Sequence, residues 1–230
     1  MRIYLSLGVL FCAVSTLSAA TDKVVCSFGS WATYRVSNGK LDVENINPSL
    51  CTHIVYCFVV LDPATYTVKH SNPYADISLK GFTRFVALKK THPNVKLLLA
   101  IGGPSEVSVA YSKMVASSVH RSTFIQSVVS LFKTYGFDGL DINWQYPVLK
   151  GGSVLDRINY ITLLSEVRDR FTSEGLLLSI TVGATSDYHR ASYNIPEINK
   201  YVDFVSLMTY DLHGWFDAQT GHNSPLFAAP

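Results

Sequence analysis

In the stretch FDGLDINWQYP, Phe137 to Pro147, four residues recur at every second position: Gly139, Asp141, Asn143 and Gln145. On a strand this spacing puts them on one face and sends Leu140, Ile142 and Trp144 to the other. Two carboxyl groups near the end of such a face are a common apparatus for moving protons. Here the two positions nearest the strand end are amides. Gln145 and Asn143 keep the shape and hydrogen-bonding capacity of Glu and Asp, but neither has a proton to transfer near neutral pH. Asp141 is the one ionisable group of the four. A row of inward polar groups is costly unless partnered. Either these residues satisfy one another in a core, or they face a polar ligand.

The elements that must hold this strand alternate in type along the chain. Apolar, strand-like runs fall at Val24–Gly29, Thr52–Leu61, Lys96–Gly103, Phe137–Asn143, LLLSITVG and Val202–Tyr210. Between them, GFTRFVALKKTHP carries Phe82, Phe85, Val86 and the stem of Lys89 at helical spacing. Ser122–Tyr135 is read as a helix with Phe124, Ile125, Val128, Val129, Leu131 and Phe132 inward. Asp156–Phe171 is read as another, with Ile158, Ile161, Leu164 and Val167 inward. TYTVKHSNPYAD reads as a polar excursion. Strands continuous in Val, Ile and Leu imply burial on both faces, hence a parallel sheet covered by helices. Repeated βα units allow an open doubly wound sheet or a closed (β/α) barrel. No GxGxxG opens a helix after the first strand, so a dinucleotide fold has little support.

The chain begins with Arg2, an apolar run from Ile3 to Val14, and small residues at Ser18 and Ala20. This pattern predicts a secretory signal peptide over residues 1–20, with the remaining residues 21–230 forming one domain. The run is short for a bilayer span, so no membrane span is expected, and the protein is predicted to be secreted and extracellular. Cys12 leaves with the leader, and Cys26, Cys51 and Cys57 remain. One disulfide and one leftover thiol is the simplest arithmetic in an oxidising compartment. No cysteine–histidine spacing suits zinc, and no metal or cofactor is expected. The net charge of +2 carries no basic block or acidic tail, so it gives no case for a nucleic-acid partner. A hydrophobic content of 48% argues against disorder.

The sequence resembles glycoside hydrolase family 18, the chitinases and chitinase-like proteins. That family's fourth-strand motif is DGxDxDxE, and Asp138-Gly139-Leu140-Asp141-Ile142-Asn143-Trp144-Gln145 is similar to it with amides at the last two acids. VVCSFGSWATYR resembles the first strand and its loop, NINPSLCTHIVYCFVVLD the entry to the second, LLLAIGG the third, FVSLMTYDLHG the sixth and TGHNSPLF the segment after it. The resemblance covers nearly all of the chain after the leader. It implies an α/β fold, a (β/α)8 TIM-type barrel cut short after about six βα units. It also implies a Cys26–Cys51 disulfide, leaving the state of Cys57 open. Chitinases of this family use the substrate's own N-acetyl carbonyl as nucleophile, and lie outside the two-carboxylate scheme. The resemblance therefore places Gln145 at the acid position and Asn143 at the preceding one, with Asp141 and Tyr210 beside them. It assigns Trp31, Phe58, Gly102, Gly103, Met208, Tyr210 and Asp211 to substrate binding, and Asp138 and Gly139 to structure.

Departures accompany the resemblance. Ser27 stands where the family often has Tyr, and Pro104 where it often has Trp. His213 and Trp215 are read as loop packing. Two strands of the family barrel lie beyond Pro230, so the chain is expected to be a piece or shortened product, or a partial barrel with its edges covered. The leading expectation is a secreted, catalytically inactive chitinase-like protein that binds chitin or chitooligosaccharide. The alternatives are a growth-factor-like or immune signalling protein with a cell-surface receptor, akin to imaginal disc growth factors, an active chitinase with residual turnover, and a shortened chain with no folded function.

Overall fold

The computed structural model describes residues 23–185 and 190–227; the expected leader lies outside them. Six parallel strands form one curled sheet: β1 (Val25–Gly29), β2 (His53–Leu61), β4 (Lys96–Gly102), β5 (Gly139–Asn143), β6 (Leu177–Gly183) and β7 (Phe204–Met208), in that order. A short strand β3 (Val68–His70) pairs antiparallel with the end of β2. It lies inside the segment read as a polar excursion, which is therefore partly strand. Three residues alternating Val68, Lys69, His70 are too short a run to stand out in sequence.

Among the described residues, the longer helices outside the sheet are α1 (Gly81–Ala87), α2 (Ser108–Ala116), α3 (Ser118–Tyr135) and α4 (Asp156–Glu174). The alternation along each strand sorts side chains between two layers. Leu97, Leu99, Ile101, Leu140, Ile142, Leu178 and Ile180 meet Phe82, Phe85, Phe124, Phe132, Leu164 and Phe171 in the layer between sheet and helices. Val55, Cys57, Leu98 and Ala100 form a smaller cluster inside the curl, packed by Val25, Phe58, Leu177 and Phe204. The curl is tight enough that Phe204 of β7 meets His53 of β2 edge to face, with ring centroids 5.1 Å apart. This is the (β/α) TIM-barrel arrangement rather than an open doubly wound sheet.

Two helix readings need correction. In α4 the buried residues are Asp156, Tyr160, Leu163, Leu164, Val167 and Phe171, while Ile158 is exposed and Ile161 only half-buried. Leu164 and Val167 face inward as read, and Tyr160, Leu163 and Phe171 complete the stripe in place of Ile158. Helix α3 begins at Ser118, where Ser117 accepts from the His120 amide and caps it. Helix α2 escaped the sequence reading because Ser108, a polar residue, occupies one of its buried positions.

One device fixes the strand starts. Asp138, just before β5, accepts from the Leu97 amide at 2.8 Å, while its own amide donates to the Leu97 carbonyl. The Lys89 ammonium closes the group at 2.9 Å. Asp203, just before β7, repeats the pattern on Leu178, with Arg168 as the cation at 2.7 Å. Gly139 follows Asp138 and lies against the Leu177 carbonyl so closely that a Cβ would overlap it. Both residues thus sit at the entrance of the strand that carries the polar row.

Candidate functional site

Gly139, Asp141 and Asn143 of β5 are all buried, and Leu140, Ile142 and Trp144 pack against the helices. Trp144 stacks on Tyr111 of α2 at 5.4 Å and donates from its indole nitrogen to Ser108 at 3.0 Å. Ser108 in turn donates to the Tyr146 carbonyl. The outer face of β5 is thereby locked, and the inner face is free to serve the curl's interior.

On that inner face Asp141 is 2% exposed. It accepts from Ser179 at 2.7 Å and Thr181 at 2.9 Å, both on β6. Burial pushes its carboxyl above the usual value, and the two hydroxyls oppose that rise. Asn143, one step up, lines an interior cavity of about 430 Å³ together with Asp141, Phe58, Trp31, Met208 and Tyr210. Its side-chain Oδ1 is buried and has no hydrogen-bond partner. Gln145 lies beyond the strand end and lines a second cavity of about 440 Å³, with Tyr146, Gly183, Asp211 and Phe216. Met208 and Tyr210 belong to both cavities. The two spaces flank the carboxyl ends of β5, β6 and β7, the rim where functional groups of such barrels sit.

Aromatic surface borders this cleft at both ends. Trp31 is 48% exposed and stacks on Phe58 at 5.8 Å with an interplanar angle of 14°. Ser71 donates to the Phe58 carbonyl at 2.5 Å and Asn72 donates to Tyr34 at 2.9 Å, so the segment after β3 supports this platform. At the other end Phe216 lines the second cavity, and Trp215 is 97% exposed. Trp215 therefore does not pack its loop, contrary to the sequence reading. His213 does pair within the loop, with Asp217 at 3.3 Å. Asp211 accepts from Asn223 at 2.9 Å, tying the segment after β7 back on itself. Burial, Asp211 and Cys57 all push the Tyr210 phenol up.

Gly102 and Gly103 are not among the residues lining either cavity. Both have positive φ, 111° and 99°, and their bare Cα atoms let the chain pass close to the Asn143 carbonyl and the Phe58 ring. Cys26 and Cys51 are joined, and Cys57 is a free, buried thiol lining the first cavity. Burial pushes that thiol well up, Asp141 adds to the rise, and it stays neutral and inert. Among the described residues no helix is long and apolar enough to cross a membrane.

Sequence reasoning missed several site residues. Ser179 and Thr181 were legible in principle, since LLLSITVG alternates them onto the same side as Asp141. Phe216 was masked by its more conspicuous neighbour Trp215. Ser192 and Tyr193, which hold the segment after β5, lie between β6 and β7 with no pattern to announce them.

A curled parallel sheet with outer helices and a cleft at the strand ends defines a TIM-type barrel protein. The sequence profile described as Glycosyl hydrolases family 18 matches residues 23–230, and the chain belongs to that family. Probable chitinase 2 of Drosophila melanogaster is 40% identical over 212 residues, covering 90% of this chain and 44% of that protein. The Group IV chitinase of Ostrinia furnacalis, solved in complex with allosamidin, is 43% identical with a TM-score of 0.87, covering 90% of this chain and 56% of that one. Human YKL-39, described as a pseudo-chitinase with retained chitooligosaccharide binding properties, is 31% identical with a TM-score of 0.78, covering 87% and 55%. The chain spans about half the length of the relatives it matches.

Proposed function

We propose that this protein binds chitin or chitooligosaccharides through the cleft at the ends of β5–β7 and does not hydrolyse them. One observation carries the reading: the residue at the outer end of the β5 row, beside the cleft, is the amide Gln145. Gln145 can donate a hydrogen bond to a glycosidic oxygen but has no proton to give it. Asp141 lies four residues lower, on the order of 13 Å along an extended chain, and its oxygens are engaged by Ser179 and Thr181. Losing acid catalysis forfeits about 10²–10⁴-fold in rate. Two features of the cleft support binding. The Trp31–Phe58 platform offers a flat apolar face to a sugar ring, and the unpartnered Asn143 acceptor suits the N–H of an acetamido group.

The protein acts outside the cell in this reading. The leader pattern ending at Ala20 and the Cys26–Cys51 bridge support it. A paired experiment tests the proposal on one sample of purified protein: calorimetric titration with chitooligosaccharide, and release of a fluorogenic leaving group. Binding without turnover is expected. Turnover that disappears in Tyr210→Phe would overturn the non-catalytic half, and absence of heat at saturating sugar would overturn the binding half.

A further inference from the structure

The chain leaving β5 passes Gln145, Tyr146 and Pro147 and then turns back on itself. Val148 has φ 72°, Lys150 48° and Gly151 86°. Glycine takes such angles freely, whereas a β-branched valine there is strained and must be held by its surroundings. The turn carries the Lys150 ammonium back over the Tyr146 ring, 3.7 Å from its centroid. That ring lines the second cavity beside Gln145 and Asp211.

The backbone before the turn is fixed from other elements. The Tyr193 hydroxyl lies 3.0 Å from both the Trp144 and the Gln145 carbonyls. Ser108 donates to the Tyr146 carbonyl, and Ser192 to the Pro147 carbonyl at 2.5 Å. These bonds stop at Pro147. Beyond it one carboxyl group gathers the turn. Asp156, the first residue of α4, is 0% exposed. One of its oxygens accepts from the Val148 amide at 3.0 Å and the Ser153 amide at 2.9 Å; the other accepts from Ser112 of α2 at 2.6 Å. Gly152 lies so close that a Cβ would come within 2.4 Å of the first oxygen. Both ends of the turn therefore hang on a single buried atom, which Ser112 anchors to α2.

We infer that Asp156 is a positioning residue of the cleft: its carboxyl group holds the Val148–Gly151 turn in a strained form, so that Lys150 fixes the Tyr146 ring at the wall of the second cavity. The effect on ligand binding rests on the sugar-binding reading above, whereas the hold on the turn does not. Asp156 touches no ligand in this account. It acts through the turn and the Tyr146 ring.

The test uses the 230-residue protein. In the ligand-free wild type, the ring current of Tyr146 should move the Lys150 ε-methylene resonances upfield, and hydrogen exchange at the Val148 amide should be slowed. Asp156→Ala should abolish the upfield shift while core methyl resonances stay. Chitooligosaccharide affinity should fall roughly tenfold, the scale of one aromatic contact. In a Tyr146→Leu background the same change should cost less than about twofold, because its target is gone. Asp156→Asn keeps an acceptor for the two amides and can donate to the Ser112 hydroxyl, so it should regain most of the shift. Adding Val148→Gly to Asp156→Ala should recover part of it, since glycine keeps the turn without strain. An ordinary Lys150 resonance or rapid exchange at Val148 in the wild type overturns the hold on the turn without any reference to a variant's folding. No recovery with Val148→Gly overturns the strain. An equal loss of affinity with and without the Tyr146 ring overturns the positioning role and leaves only a structural one. If the wild type binds no sugar, the sugar-binding proposal fails, and the resonance and exchange data still decide the hold on the turn.

Discussion

Asp141 is a carboxyl group buried on the inner face of the curled sheet. Its folded-state pKa lies above the unfolded value because burial disfavours the charge. The stability it contributes is therefore present below the unfolded pKa and is lost as pH rises through the folded one. An amide at this position escapes that loss while its oxygen and nitrogen still meet the Ser179 and Thr181 hydroxyls. Asp141→Asn is expected to raise the thermal midpoint at about pH 7 and to change it little near pH 3, below the ordinary carboxylate value of about 3.9. Thermal scans at the two pH values check this; an equal shift at both would remove charge burial as the cause. At the cleft mouth, the Trp31 indole rests on Phe58 with half its surface open. Trp31→Ala should weaken chitooligosaccharide binding by about 1–2 kcal/mol, measured by titration. Unchanged affinity would place the sugar elsewhere.

At the scale of elements, the strands were readable and their supports less so. The six parallel strands stand where Val, Ile and Leu runs announce them; β2, β4 and β6 are largely buried on both faces, whereas β1 and β7 at the flanks are only partly covered. The polar row of β5 was equally legible, since a period of two is enough to sort Asp141 and Asn143 from Leu140 and Ile142. Helix α2 was not, because Ser108 is buried there by bonds to Trp144 and Tyr146 that no local pattern reveals. Strand β3 was missed because its three residues gain their place only by pairing with the end of β2. Tyr193 belongs to the same class: its importance comes from where a loop returns. The Asp138 device combines both kinds of information, being local to the motif yet reaching 41 residues back to the Leu97 amide. Asp138→Ala leaves that buried-end N–H and the Lys89 ammonium without their acceptor. It is expected to cost about 1–3 kcal/mol, read from denaturant midpoints. A cost within experimental error would mean that water replaces the carboxylate at no penalty.

Among the described residues, the sheet has an unpaired flank at each end. Strand β1 is bonded on one side to β2, and β7 on one side to β6. Val205 and Leu207, which would face covering helices, are 38% and 49% exposed. The Cys26–Cys51 bridge ties the β1 flank to the approach of β2 across 25 residues, a loop closure worth about 3 kcal/mol; β7 has no such tie among the described residues. Exposed strand edges beside apolar surface promote association. The 230-residue chain produced by itself is expected to elute as oligomers and to bind ANS. A monodisperse monomer in light scattering, with a sharp thermal transition, would show that the six-strand body suffices.

The amides at Asn143 and Gln145 also change what the cleft can attract from a distance. Carboxylates on that row would draw in polycationic, deacetylated glucosamine chains, and would do so less in strong electrolyte, where charges are screened within about 10 Å or less. The neutral row leaves stacking and dipolar contacts, which ionic strength hardly touches. Retention on fully acetylated polymer should therefore stay constant from about 50 mM to about 500 mM sodium chloride, with little added affinity for the deacetylated form. Elution that tracks salt, or a preference for the cationic polymer, would mean that Asp141 and Asp211 still govern the field in the groove.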